Sequence, residues 1–74
     1  MMTQNIISLY VKEMRRKHNM TQVDLSEMSG VGLRFVRELE QGKPTVRLDK
    51  VNQVLALFGA QCGPVALPRK EDEQ

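Results

Sequence analysis

The sequence is poor in the residues that several functional classes need. It contains no tryptophan, one tyrosine, two phenylalanines, one cysteine and one histidine. A single cysteine excludes an internal disulfide and a multi-cysteine zinc site, and a lone histidine without a second ligand nearby argues against a metal centre. So few aromatic residues also disfavour a protein that binds single strands by extensive base stacking.

Long apolar runs and catalytic motifs are missing as well. No apolar run approaches the roughly 18 residues that span a bilayer, and no secretory signal pattern is present. The sequence has no phosphate-binding loop, no nucleophile with a matching base and no carboxylate pair suited to acid–base chemistry. We therefore expect a cytoplasmic protein that is not an enzyme, does not enter a membrane, and needs no cofactor or metal.

Size and charge point to a small basic domain. At 74 residues the chain has room for one domain. The core of so small a domain rarely supplies more than about 3–5 kcal/mol of stability, so association with a second subunit would add to the stability of the fold. Between Lys12 and Lys50 nine lysines and arginines stand against six acidic residues, whereas Arg69–Gln74 has two against three. Positive charge is thus concentrated in the part predicted to be helical, which permits nucleic-acid binding.

Residues 21–42 predict two short helices separated by a glycine turn. Thr21 is a typical N-cap residue, Gly30 ends the first helix and Gly42 ends the second. The apolar residues of the two helices are Val23, Leu25 and Met28, then Leu33, Phe35, Val36 and Leu39. This is the layout of a helix-turn-helix, whose second helix can enter the major groove of DNA.

Two further helices flank this segment. Apolar residues at helical spacing predict one helix over residues 6–18 and another after Pro44, ending at Gly59. The residues concerned are Ile7, Tyr10, Val11 and Met14 in the first, and Leu48, Val51, Leu55 and Phe58 in the second. Met14, Met20 and Met28 are interpreted as core residues.

The C-terminal part departs from a purely helical pattern. The segment AQCGPVALP contains two prolines and a glycine, so Gln61–Leu67 is interpreted as a short edge strand, with Cys62 as a reduced, partly buried residue in it. We expect one domain over residues 6–67. The polar residues 68–74 are expected to be disordered.

A signature in the helix-turn-helix segment resembles a known family. It consists of Thr21-Gln22, Leu25, Gly30-Val31, Val36, Leu39-Glu40 and Gly42, and it is similar to the lambda-repressor-like (Xre-type) helix-turn-helix domain. The longer run GVGLRFVRELEQGKPTVRLDKVNQVLALFG most resembles HipB-type antitoxins, small repressors that pair with HipA-type kinase toxins. The resemblance covers about residues 7–67 and implies an all-α domain of four to five helices with a short C-terminal strand.

The resemblance also implies two structural contacts. In HipB-like proteins the corresponding strand pairs with its copy in the other subunit, which implies a homodimer strand here that includes Gln61, Cys62, Val65 and Leu67. An ion pair inside the fold, between Arg15 and Glu40, is implied in the same way. The bare sequence equally allows two solvated charges, which would contribute only about 0–1 kcal/mol.

Mapped onto this sequence residue by residue, the resemblance implies that the candidate base-facing positions are Gly32, Leu33, Arg34, Arg37 and Glu38. Arg34 can bond O6 and N7 of guanine together, which is worth about 1–3 kcal/mol of discrimination, and Arg37 suits a base or a phosphate. Leu33 stands where phage repressors often have glutamine and offers only contact with a thymine methyl group. Glu38 suits either cytosine N4 or the holding of an arginine, and Phe35 suits core packing better than DNA contact.

Phosphate contacts are expected on both sides of the second helix. The amide groups of Thr21 and Gln22 open the preceding helix and suit an anion. Lys43 and Arg47 flank the following loop, although each cation taken singly is equally well explained as a solvated charge.

These observations favour a dimeric, sequence-specific bacterial repressor that binds a double-stranded operator. The resemblance implies the antitoxin of a pair that represses its own operon and binds a HipA-like kinase toxin. Two alternatives stay open: a stand-alone prophage-type regulator, and a toxin-neutralising interaction module with weak DNA binding. The gene next to this one distinguishes the first alternative, because a toxin pair needs a neighbouring kinase-like reading frame.

Overall fold

The computed structural model describes residues 5–66 and places four α-helices among them. They are α1 (Ile6–Lys17), α2 (Gln22–Ser29), α3 (Leu33–Glu40) and α4 (Leu48–Ala56). The predicted all-helical class is confirmed, although α4 ends at Ala56 and a turn carries the chain on to Gly59. No helix in this range combines the length and apolar character needed to cross a membrane.

The core is small and draws on every helix and on the turn between α2 and α3. Its buried apolar residues are Val11, Leu25, Val31, Val36, Leu39, Val51, Val54 and Leu55. Around them pack the half-buried side chains of Ile7, Tyr10, Met20, Phe35, Val46, Phe58, Ala60 and Cys62. Most of the buried residues are valines, whose short stiff side chains let the four helices approach closely.

The predicted apolar side of α2 is wrong in two of three residues. Leu25 is fully buried, but Val23 is 47% exposed and Met28 is 64% exposed. The buried side of α2 is instead formed by Leu25 and Ser29, which are four residues apart, and Val23 lies nearly opposite Leu25 on the helix. Leu48, the first residue of α4, is also exposed.

Two serines are buried because local hydrogen bonds satisfy their hydroxyl groups. Ser8 Oγ donates to the Asn5 carbonyl at 3.0 Å, and Ser29 Oγ donates to the Leu25 carbonyl at 2.7 Å. Asn5 in return caps α1, since its Oδ1 accepts the Ser8 amide at 2.7 Å. Small polar residues with such partners can replace apolar ones in a helical interface without an unsatisfied group.

Arg15 and Glu40 form an ion pair inside the fold. Arg15 Nε lies 2.6 Å from Glu40 Oε2, and Nη2 lies 3.0 Å from Oε1. The side chains are only 14% and 3% exposed, so the interior pair, and not the pair of solvated charges, is the arrangement present. Hydrogen bonding to Glu40 raises the pKa of the Arg15 guanidinium, which therefore stays charged.

Further bonds connect this ion pair to the rest of the domain. Arg15 Nη1 donates to the Met20 carbonyl at 3.0 Å, and Gln22 Nε2 donates to Glu40 Oε1 at 3.1 Å. The Glu40 carboxylate on α3 therefore accepts hydrogen bonds from α1 and from the first residue of α2.

The C-terminal segment does not form the predicted strand within the described residues. Residues 61–66 are irregular, and the Cys62 amide donates to Asn52 Oδ1 at 2.7 Å. A strand needs ladder hydrogen bonds to a neighbour, and the rest of residues 5–66 offers none. Leu67, the last residue of the expected strand, and the expected tail over 68–74 lie outside the described residues.

The ion pair generates a stability prediction. Glu40→Gln leaves the Arg15 charge buried without its counter-charge, so we expect the free energy of unfolding to fall by about 3–5 kcal/mol. Urea denaturation followed by circular dichroism measures the loss.

The double variant Arg15→Met, Glu40→Leu serves as the control. It removes both charges, and we expect it to recover most of the stability that Glu40→Gln loses. A Glu40→Gln variant as stable as the wild type would show that the pair contributes nothing.

Candidate nucleic-acid interface

The turn between α2 and α3 begins at a left-handed glycine. Gly30 has φ +84° and its amide donates to the Ser26 carbonyl at 2.9 Å, which ends α2. Gln53 of α4 closes over this point, since its Nε2 donates to the Ser29 carbonyl at 2.9 Å. A Cβ atom on Gly30 would lie 3.1 Å from that same Nε2, so both the backbone angle and the space favour glycine.

Val31 fixes the middle of the turn to the core. Its side chain is 5% exposed, and its carbonyl accepts the Ser26 hydroxyl at 2.6 Å. Gly32 then starts α3 as an exposed N-cap residue without a side-chain cap. A buried turn residue bonded to α2 sets the direction in which α3 leaves the turn.

α3 has sharply different inner and outer faces. Val36, Leu39 and Glu40 are buried, and Leu33, Phe35 and Glu38 are half-buried. Arg34, Arg37, Glu38 and Gln41 are spaced at i, i+3, i+4 and i+7, so they share the outer side of the helix. The Arg34 side chain is 92% exposed. We call these four residues the outer face of α3.

Three of the predicted DNA-contacting residues meet at this face. Glu38 Oε2 lies 3.3 Å from Arg34 Nε, and Glu38 Oε1 lies 3.4 Å from Lys43 Nζ. The carboxylate therefore bridges a predicted base-reading arginine and a predicted phosphate-binding lysine. Of the two roles that the sequence left open for Glu38, the unbound structure has the one in which it holds an arginine.

The other predicted base-facing residues differ in exposure. Arg37 is exposed and forms no ion pair with any residue in the range 5–66. Leu33 is half-buried at the first position of α3. Phe35 packs against the core, with Lys50 Nζ 5.9 Å from its ring centre.

Gln41 is an exposed residue of the outer face that the sequence analysis missed. It lies seven residues after Arg34, two helical turns further along the same side, so extending the helical spacing beyond Glu38 would have found it.

The start of α2 is more occupied than the sequence analysis assumed. Thr21 Oγ1 accepts the Asp24 amide at 3.0 Å, and Asp24 Oδ2 accepts the Thr21 amide at 2.9 Å. The Thr21 amide is therefore not free for a phosphate in the unbound protein. Gln22 is half-buried with one N–H on Glu40, which leaves its second N–H available.

Arg47 also has a partner in the unbound protein. It is the N-cap residue of α4, and its guanidinium binds Asp49 through Nε at 3.1 Å and Nη2 at 2.7 Å. This hydrogen bonding lowers the pKa of the exposed Asp49 carboxyl. Of the four expected phosphate contacts, Lys43 and Arg47 are thus both exposed and both paired with an acidic side chain.

His18 and Cys62 both pack against other residues of the fold. The His18 ring stacks on Phe58 with centres 5.7 Å apart, and Phe58 meets Tyr10 edge to face at 6.5 Å. Cys62 is a half-buried free thiol. No three histidine, cysteine or acidic side chains in the described part of the chain are grouped as metal ligands.

Comparisons with known proteins agree with this architecture. A family model described as helix-turn-helix matches residues 11–62, which include all four helices except the start of α1. A curated protein of Sinorhizobium fredii (strain NBRC 101917 / NGR234), an uncharacterized HTH-type transcriptional regulator named y4mF, is 45% identical over 53 residues. The match covers 72% of this chain and 70% of that protein.

The turn between α2 and α3 generates a second stability prediction. Gly30→Ala forces an L-residue into the left-handed region and pushes a methyl group against Gln53, so we expect a loss of about 1–2 kcal/mol. Gly63→Ala is the control, because Gly63 has no positive φ and open space around its Cβ position. Urea denaturation of both variants measures the difference in their free energies of unfolding. Equal stability of the two would contradict the requirement for glycine at position 30.

Proposed function

The chain belongs to the lambda-repressor-like (Xre-type) helix-turn-helix family, and from that premise we propose that it is a sequence-specific DNA-binding transcriptional repressor. It acts as a homodimer on a double-stranded operator and is the HipB-like antitoxin of a toxin–antitoxin pair. In this proposal α3 is the recognition helix and repression results from occlusion of a promoter.

The outer face of α3 carries the proposal. Its arginines Arg34 and Arg37 lie opposite the buried residues, so they can reach base edges without disturbing the core, and the half-buried Glu38 holds Arg34. Arg34, at 92% side-chain exposure, is free to present its planar fork to guanine. Gly32 and Leu33 at the start of α3 complete the base-facing set, because residues near the N-terminus of a recognition helix approach the bases.

Phosphate contacts from both sides of α3 position the helix in the groove. Lys43 and Arg47 follow α3. The exposed pair of Arg47 with Asp49 is weak enough to be exchanged for a phosphate, and Lys43 has further N–H groups that can bind a phosphate beside Glu38. On the other side of α3, Gln22 offers the second N–H of its side-chain amide to a phosphate. Thr21, the N-cap of α2, lies next to it, and its amide would have to exchange Asp24 for the phosphate.

Dimerisation is supported by the C-terminal segment and by an apolar groove beside it. The groove, of about 760 Å³, lies between the start of α1 and residues 60–65, and its lining includes Ile6, Ile7, Tyr10, Cys62 and Val65. Ile6 is 81% exposed and Val65 is 79% exposed, which is unfavourable for a lone chain.

Binding of a second copy of this chain would account for both the unpaired C-terminal segment and the apolar groove. Strand pairing between two copies of residues 61–67, including Gln61, Cys62, Val65 and Leu67, would satisfy the backbone of the segment and cover the groove. Two-fold symmetry then places two α3 helices for half-sites about 34–36 Å apart or a multiple of that distance.

The antitoxin role rests on the similarity of the run from Gly30 to Gly59 to HipB-type proteins. If the role is that of a HipB-type antitoxin, the protein partner is a HipA-like kinase toxin. Co-expression with the kinase-like product of a neighbouring gene tests this assignment, because an antitoxin must restore growth that the toxin arrests. Absence of such a gene, with operator binding intact, would favour the stand-alone regulator.

The DNA-binding proposal is tested by charge removal on the outer face. We expect Arg34→Ala, Arg37→Ala to lower affinity for the selected operator by at least about tenfold to a hundredfold, since the lost bidentate contact of Arg34 alone is worth about 1–3 kcal/mol. Fluorescence anisotropy with a duplex that the wild-type protein selects from a random library measures the change.

A matched control removes the same amount of charge elsewhere. Arg16→Ala, Lys17→Ala deletes two exposed cations at the end of α1, and we expect it to change operator affinity by less than the variant on α3. Equal losses for both double variants would show that only net charge matters. If the α3 variant still neutralised a toxin while losing operator affinity, the two functions would lie on different surfaces.

The dimer is tested at Val65. Val65→Asp places a charge where the second copy is proposed to pack, so we expect sedimentation equilibrium to shift towards the monomer mass. Val23→Asp introduces the same charge at an exposed position of α2 and should leave the mass unchanged. A wild-type protein that sediments as a monomer at micromolar concentration would overturn the dimer.

A further inference from the structure

Glu38 is the acidic member of the outer face of α3, since the other acidic residue of this helix, Glu40, is buried. We propose, on the basis of the proposed function, that Glu38 is a specificity-determining residue that makes Arg34 favour guanine over phosphate. Glu38 does so by binding Nε of the Arg34 guanidinium, which opposes the transfer of Arg34 from the base to a DNA phosphate.

The contact between Glu38 and Arg34 occupies only one N–H group of the arginine. Glu38 engages Arg34 through Nε alone, at 3.3 Å. Arg34 therefore keeps its terminal Nη1 and Nη2 groups without a hydrogen bond to any residue between 5 and 66. Two parallel N–H groups at the end of a guanidinium match O6 and N7 of guanine, so a base can be bound while the Nε contact persists.

The Glu38 carboxylate is also held by a second cation. Its other oxygen lies 3.4 Å from Lys43 Nζ, and the Glu38 side chain is only 28% exposed against 92% for Arg34. The carboxylate is thus the better fixed partner, held between two cations, and the arginine is the member that can move. The i, i+4 spacing lets the carboxylate hold Nε of Arg34 while the rest of the guanidinium stays exposed to solvent.

Specific and random DNA offer Arg34 different binding partners. On a guanine at the right position, Arg34 binds the base and keeps Glu38. On a random sequence its best partner is a phosphate, and moving there means leaving Glu38 and bringing phosphates close to a carboxylate. Since phosphate contacts supply nearly all non-specific binding, Glu38 lowers affinity for random DNA more than affinity for the operator.

Glu38→Gln tests the proposal, because it keeps the size of the side chain and one acceptor oxygen but removes the charge. The probes are a duplex selected by the wild type from a random library and a shuffled duplex of the same length. We expect affinity for the shuffled duplex to rise about threefold to fivefold, as expected for loss of an exposed ion pair. Affinity for the selected duplex should stay within about twofold, so the ratio of the two affinities falls.

Salt titration supplies a second readout. With Arg34 released to one more phosphate, the slope of log affinity against log salt on the shuffled duplex should steepen by about 0.9. A role confined to folding would not change this slope, and thermal unfolding of the variant checks that the fold is retained.

Two matched variants complete the experiment. Glu13→Gln makes the same charge change at an exposed position of α1 that forms no ion pair with a described residue, and it should leave the affinity ratio unchanged. In an Arg34→Ala background, Glu38→Gln should no longer lower the ratio, because its effect on specificity passes through Arg34.

The contrary outcomes are distinct. If Glu38→Gln weakens binding to the selected duplex and leaves the shuffled one unchanged, Glu38 contacts a base itself and the inference is overturned. Equal gains on both duplexes, or the same change in Glu13→Gln, would reduce the effect to net charge and also overturn it. If the wild type selects no duplex at all, the proposed DNA-binding function falls, and the inference falls with it.

Discussion

The carboxylate of Glu40 is the point at which three helices are joined. It belongs to α3 and accepts hydrogen bonds from Arg15 of α1 and from Gln22 at the start of α2. An acidic side chain that is 3% exposed would be strongly unfavourable without these donors. Because charge-assisted bonds are directional, they fix the orientation of α3 against α2, which apolar contacts alone specify less sharply.

Other polar contacts act on the same geometry. Gln53 of α4 binds the last carbonyl of α2, and Ser26 of α2 binds the carbonyl of the buried turn residue Val31. The valine-rich core supplies the apolar burial, while these bonds determine the angle at which α3 leaves the turn. A domain with a core of this size gains a defined orientation of α3 from a few well-placed hydrogen bonds.

Much of this arrangement could be predicted from the sequence, and the exceptions have physical reasons. Helical spacing and glycine positions located the four helices that lie within residues 5–66. They failed for Val23 and Met28, because α2 is short and its buried side is completed by Ser29, a residue whose hydroxyl is satisfied by its own helix. The Arg15–Glu40 contact was available only from the family resemblance, since spacing alone does not reveal which charges meet inside a fold.

The candidate site shows the same division. The predicted set of base-facing residues followed from the resemblance, but the bridge of Glu38 between Arg34 and Lys43 depends on side-chain positions that no sequence pattern encodes. Likewise, Thr21 was recognised as a cap, yet its amide is taken by Asp24.

The outer face of α3 makes no contribution to the core, and this has an evolutionary consequence. Exchanging Arg34, Arg37 or Gln41 for other polar residues leaves the buried side chains and the bonds to Glu40 intact. Selection can therefore change the chemistry of this surface at little risk of unfolding. After duplication of such a gene, two daughter regulators can diverge in the promoters they control while keeping one scaffold.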